Sequence, residues 1–107
     1  MRKLTMIRKK TIVAYFMRAF LFVEVKGQED LVLNGVSCKL AGTLKNGQSI
    51  TVEIPEDEVM VFIVFDKLFP QKFKTSYRIP AGNADFTLYT KAHFNPFKGN
   101  PHRITVN

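Results

Sequence analysis

Residues 11–26 read TIVAYFMRAFLFVEVK, and their alternation decides the fold. Val13, Tyr15, Met17, Ala19, Leu21, Val23 and Val25 are all apolar. The other parity runs Ile12, Ala14, Phe16, Arg18, Phe20, Phe22, Glu24, Lys26; it starts apolar and turns polar. A period of two puts successive side chains on opposite faces of a half-buried strand. The density of β-branched and aromatic residues and the missing cap argue against a helix. Ordinary strands run about five or six residues, so this one is expected to bend or bulge. The basic Arg8-Lys9-Lys10 segment would link it to a short strand at residues 4–7.

A basic head before an apolar run is also the outline of a signal peptide. Arg18 and Glu24 interrupt the run, its aromatic residues are bulky, and no small-residue cleavage site follows. A folded strand is therefore expected, in a cytoplasmic protein; the alternative is export, if residues 1–25 act as a signal. A transmembrane segment is excluded, because a span needs about twenty apolar residues and an arginine at its centre costs about 2.5–3.5 kcal/mol.

The same rhythm continues downstream. Leu31, Val32 and Leu33 precede Asn34-Gly35, and residues 38–44 read as a strand. Asn46-Gly47 then stands before the alternating Ile50, Val52 and Ile54, the pattern of a tight hairpin. Residues 59–65 are seven consecutive apolar residues, which suits a strand covered on both faces. Two alternating strands follow at residues 72–79 and 85–91, and a short one at 103–106. The chain of 107 residues, 46% hydrophobic, is thus read as one domain over residues 2–107. The expected fold is all-β: an antiparallel β-sandwich of about seven to eight short strands, with a small β-barrel as the alternative.

Residues 7–10 followed by a long apolar strand, then GTLKNGQSITVEIP at residues 42–55 and another apolar strand, resemble small uncharacterised bacterial β-sandwich proteins. The central hairpin is similar to the PEGA-type surface-exposed domain, with a Gly-containing turn, an alternating strand, a second turn and a further strand. Where that pattern has Pro-Gly before a histidine-led strand, this chain has Pro55-Glu56-Asp57-Glu58-Val59. The resemblance implies a non-catalytic sandwich and brings no catalytic residues.

The chemistry is sparse. Cys38 is the single thiol, His93 and His102 are the two imidazoles, and Cys38 stands among Val36, Leu40 and Ala41 as a buried cysteine would. There is no Gly-x-Ser-x-Gly elbow, no Walker A loop and no Gly-x-Gly-x-x-Gly. His93 and His102 lack companion ligands, and Glu56, Asp57 and Glu58 lack the spacing of a calcium loop. No enzyme activity, cofactor or metal is expected.

Charge is the one suggestive feature. Lys and Arg total 16 against 9 Asp and Glu, a net charge of +7. Both ends of the chain are basic and the middle is net acidic, so ends that lie together would form one basic face. Its expected members are Arg8, Lys9, Lys10, Lys72, Lys74, Arg78, Tyr89 and Lys91. Cations at alternate positions of a strand, beside an aromatic ring, suit a polyanion such as single-stranded nucleic acid. The first functional expectation is nevertheless a protein-interaction or structural module, pairing with a protein partner or with itself as a homo-oligomer through an edge strand or apolar face.

Overall fold

A computed structural model of the chain describes residues 1–11, 18–27, 29–64, 74–92 and 102–106. It is an all-β fold of two sheets. The strands are β1 (Arg2–Arg8), β2 (Ala19–Glu24), β3 (Leu31–Leu33), β4 (Val36–Leu44), β5 (Ser49–Ile54), β6 (Val59–Val64), β7 (Lys74–Ile79), β8 (Phe86–Ala92) and β9 (His102–Thr105). One sheet has the order β5-β1-β8-β9 and the other β3-β4-β2-β6-β7. The sandwich is as expected from the alternation, with two differences. Nine strands lie among the described residues, because the Asn34-Gly35 turn makes β3 a separate strand. The sandwich is also not wholly antiparallel: β1 pairs with β8 in parallel, Leu4 beside Phe86 through Arg8 beside Thr90.

The hairpin signal falls elsewhere than expected. Asn34 and Gly35 both take positive φ, 51° and 77°, as a tight two-residue hairpin turn requires, and they join β3 to β4. At Asn46-Gly47 only the glycine does so, with φ 78°. The Asn46 side chain is engaged instead with the backbone of Thr11, accepting from its N–H and donating to its carbonyl, both at 3.0 Å. The chain there crosses from one sheet to the other, and β4 and β5 part from the turn into different layers. Gly42 permits the crossing, since a Cβ on it would run into the Ile50 side chain.

The core follows the period of two. Leu4, Met6, Ile54 and Leu88 of the four-stranded sheet meet Leu21, Val23, Val61 and Ile63 of the other, all buried. The opposite parity of β2 and β6 forms a second apolar cluster on the far face of the five-stranded sheet, where Phe22, Phe62, Val64, Leu33 and Cys38 gather. Phe62 is 0% and Phe22 2% exposed, so both faces of this sheet are buried at its centre. A bulge in β4 opposite Leu21 and Phe22 brings Cys38 and Leu40 onto the same face as Phe22. The expected long strand begins, within the described residues, at Ala19; its residues 12–17 lie outside them.

Phe62→Ala should lower the unfolding free energy by about 3–5 kcal/mol, the usual cost of emptying a closed aromatic site, with an unchanged slope in urea denaturation. Arg2, 4% exposed, donates to the carbonyls of Pro55 (3.0 Å), Asp57 (3.2 Å) and Pro80 (2.8 Å), tying two turns together. Arg2→Met leaves those acceptors unserved and should cost about 2–3 kcal/mol in the same measurement.

Candidate functional site

The solvent face of the four-stranded sheet carries the odd-numbered residues of β1, β5, β8 and β9. Strand register arranges them in rows across the sheet. Ser49, Ile7, Tyr89 and Thr105 form one row, and Thr51, Thr5 and Thr87 the next, with Thr5 Oγ1 and Thr51 Oγ1 3.0 Å apart. Toward the other end, the Lys9 N–H bonds the Thr90 carbonyl at 2.8 Å, carrying the β1–β8 ladder one step further. Lys9 therefore falls level with Lys91, and Lys91 stands opposite Arg103.

Lys9, Lys91 and Arg103 thus occupy one row on three adjacent strands, with neighbours about 4.8 Å apart across the sheet. Lys91 and Arg103 are exposed and Lys9 is half-buried. The Lys9 ammonium sits 5.1 Å from the centre of the Tyr89 ring, a cation–π contact that holds both side chains in place. Lys10 adjoins this row, its stem packed along Gly47. Lys45 lies exposed in the same turn. The acids of this sheet, Glu53 and Asp85, stand at its opposite end with the turn that carries Glu56, Asp57 and Glu58.

Four of the expected basic-face residues, Lys9, Lys10, Tyr89 and Lys91, therefore come together. Arg8 does not join them. It is 0% exposed and points into the sandwich, where Nη1 donates to the Leu44 carbonyl at 2.8 Å, and burial pushes its pKa below the ordinary value. The reason is parity: Arg8 shares a face with Leu4 and Met6. Lys74 and Arg78 stand on β7, on the outer face of the five-stranded sheet, across the molecule from Tyr89. Arg78 donates to Glu58 Oε1 at 2.8 Å in an exposed pair. Lys72 lies outside the described residues. Arg103, absent from the expected set, was signalled by its place in an alternating terminal segment, but only the β8–β9 register puts it beside Lys91.

Cys38 is buried in the second apolar cluster, with Sγ 3.3 Å from the Val36 carbonyl. His93 lies outside the described residues, as does the His102 side chain. Burial, with the Glu24 charge adding to it, pushes the thiol from its ordinary 9.0 to about 11. No protein-family model matches this chain, and no curated protein matches its sequence. No helix among the described residues is long and apolar enough to cross a membrane.

The raised thiol pKa has a stability consequence. The folded state holds the proton more tightly than the unfolded chain, so this contribution is complete below pH 9 and is lost as pH rises to about 11. The loss amounts to about 2–3 kcal/mol. Denaturation curves across that range should fall more steeply for the natural chain than for Cys38→Ala.

Proposed function

We propose that this chain is a non-catalytic binding module that holds a polyanion, single-stranded nucleic acid in the first place, on the outer face of its four-stranded sheet. The single observation that supports it is the row of Lys9, Lys91 and Arg103 on three neighbouring strands, with Tyr89 beside it. Cations so close together repel one another and hold counterions. A polyanion releases those counterions, and the gain depends on salt. Tyr89, half-buried and facing outward, offers an aromatic edge to an unpaired base, and sheet faces with such rings are used for single strands. One row beyond Tyr89, Thr87 and the member of the Thr5–Thr51 pair that does not donate to the other add hydroxyl donors for phosphate oxygens.

The burial of Phe22 and the half-burial of Phe20 bear on the alternative of an apolar docking face, because the apolar surplus of β2 is already packed into the second cluster. Titration of a labelled single-stranded oligonucleotide at several salt concentrations tests the reading. Replacing Lys9, Lys91 and Arg103 by Gln should weaken binding and flatten the log–log salt slope by about 2, at about 0.7 for each phosphate left without its cation. Replacing Lys74 and Arg78 by Gln, on the opposite face, should leave both unchanged. Undetectable binding at low salt, or equal damage from the two sets, would refute the reading.

A further inference from the structure

The outer side of β5 is an edge of its sheet among the described residues. The Arg8 N–H bonds the Gln48 carbonyl at 2.8 Å, which fixes the sense of the β1–β5 ladder. Even-numbered residues of β5 exchange backbone bonds with β1, so the N–H and C=O groups of Ser49, Thr51 and Glu53 point away from it. Among the described residues no strand lies on that side. Of the usual guards the edge keeps only the charge of Glu53. Its six residues, SITVEI, contain no proline, no lysine and no bulge. The corresponding edge of the other sheet is a three-residue β3 beside a bulged β4.

Beneath this edge lies a groove of ≈ 210 Å³ with Val23, Ala41 and Val52 among its walls, and it shares Met1, Glu24, Val25 and Pro55 with a cleft of ≈ 450 Å³. Ile50 and Val52, on the inward face of β5, are only half-buried. An added strand would direct its own inward residues into this groove.

We propose that the occupant is a second copy of this chain, its β5 antiparallel to the first about a two-fold axis at Thr51. Thr51 then faces Thr51, Ser49 faces Glu53 and Ile50 faces Val52, and every pair keeps inward with inward and outward with outward. The odd-numbered residues become the hydrogen-bonded pairs, as their orientation requires. Charge selects this occupant and this sense. Antiparallel pairing brings the turn that carries Lys45 in one copy beside the turn that carries Glu56, Asp57 and Glu58 in the other. A parallel arrangement would set Lys45 against Lys45. The contact is isologous and closes at two copies.

Sedimentation velocity on the full chain, over a wide concentration range at low and high salt, reads the association. A dimer that loosens with salt is expected. Thr51→Pro should raise its dissociation constant at least ~10-fold without changing far-ultraviolet dichroism, because the N–H removed does not serve β1. Thr51→Cys should give a disulfide-linked dimer on oxidation, since paired Cα atoms lie about 5.5 Å apart, whereas Glu53→Cys should not. The buried Cys38 of the natural chain provides the uncrosslinked control. A monomer at every concentration overturns the proposal, as does a dimer indifferent to Thr51→Pro or crosslinking equally at both positions. If Thr51→Pro fails to fold, the two cysteine variants decide. The Lys9, Lys91 and Arg103 variants leave β5 intact, so failure of polyanion binding and failure of dimerisation are separately visible.

Discussion

The parallel ladder between β1 and β8 is the constraint from which the surface follows. Parallel neighbours cannot be joined by a tight turn, so a long stretch of chain must intervene. Here that stretch contains every strand of the five-stranded sheet as well as β5. The pairing seats the first strand between β5 and β8, with Leu4 and Met6 fully buried. It also sets the basic end of β1 beside the basic end of the β8–β9 pair. Two cationic segments remote in sequence become neighbours, and β5 is left at the border of its sheet. Such non-local pairing closes large loops before it is rewarded, which makes for slow folding.

The arginines of β1 show how charge is divided between interior and surface. Arg2 and Arg8 share the inward parity of Leu4 and Met6. A buried guanidinium is tolerable only when hydrogen bonds replace its hydration. Arg2 meets that condition with three carbonyls from two turns, and Arg8 uses the Leu44 carbonyl at the opposite end. Both are structural clamps, and the formal net charge of +7 therefore overstates what a ligand can reach. The accessible cations near Tyr89 stand on the other parity, with Lys9 immediately after Arg8.

Faces were legible in the sequence; neighbours were not. The unbroken apolar run of β6 foretold a strand covered on both sides, and Phe62 and Ile63 are each 0% exposed on opposite faces; β2, expected to be half-buried, is covered on both sides as well. Period carries that information because each residue's side is set locally. Strand order is set by long-range packing. Lys74 and Lys91 look equivalent in an alternating sequence, yet they lie on opposite outer faces of the sandwich. Arg8 reads with the basic face because the expected strand stops at residue 7; only with β1 running to Arg8 does its parity set it with Met6. The two Asn-Gly pairs differ through the tertiary contact of Asn46 with Thr11, which local turn preference does not contain.

The two sides of the sandwich are closed differently, and this connects the edge to the face. β7 and β9 touch, drawing the layers together on one side. On the other side β4 and β5 approach closely where Gly42 meets Ile50, and a groove opens between Ala41 and Val52. Twisted sheets that meet at one corner must separate at the other, so the gap is a consequence of the crossover. An antiparallel partner strand answers that divergence, because it extends the four-stranded sheet over the opening. In the proposed dimer the outer faces of both copies merge into one surface. The row of Lys9, Lys91 and Arg103 recurs at its two far ends, and the threonine rows meet at the axis. One chain of anionic ligand crossing that surface would meet both rows, so the second contact forms at the effective concentration set by the first. The proposed dimerisation and the proposed polyanion binding would then reinforce each other through geometry alone, with no change in either site.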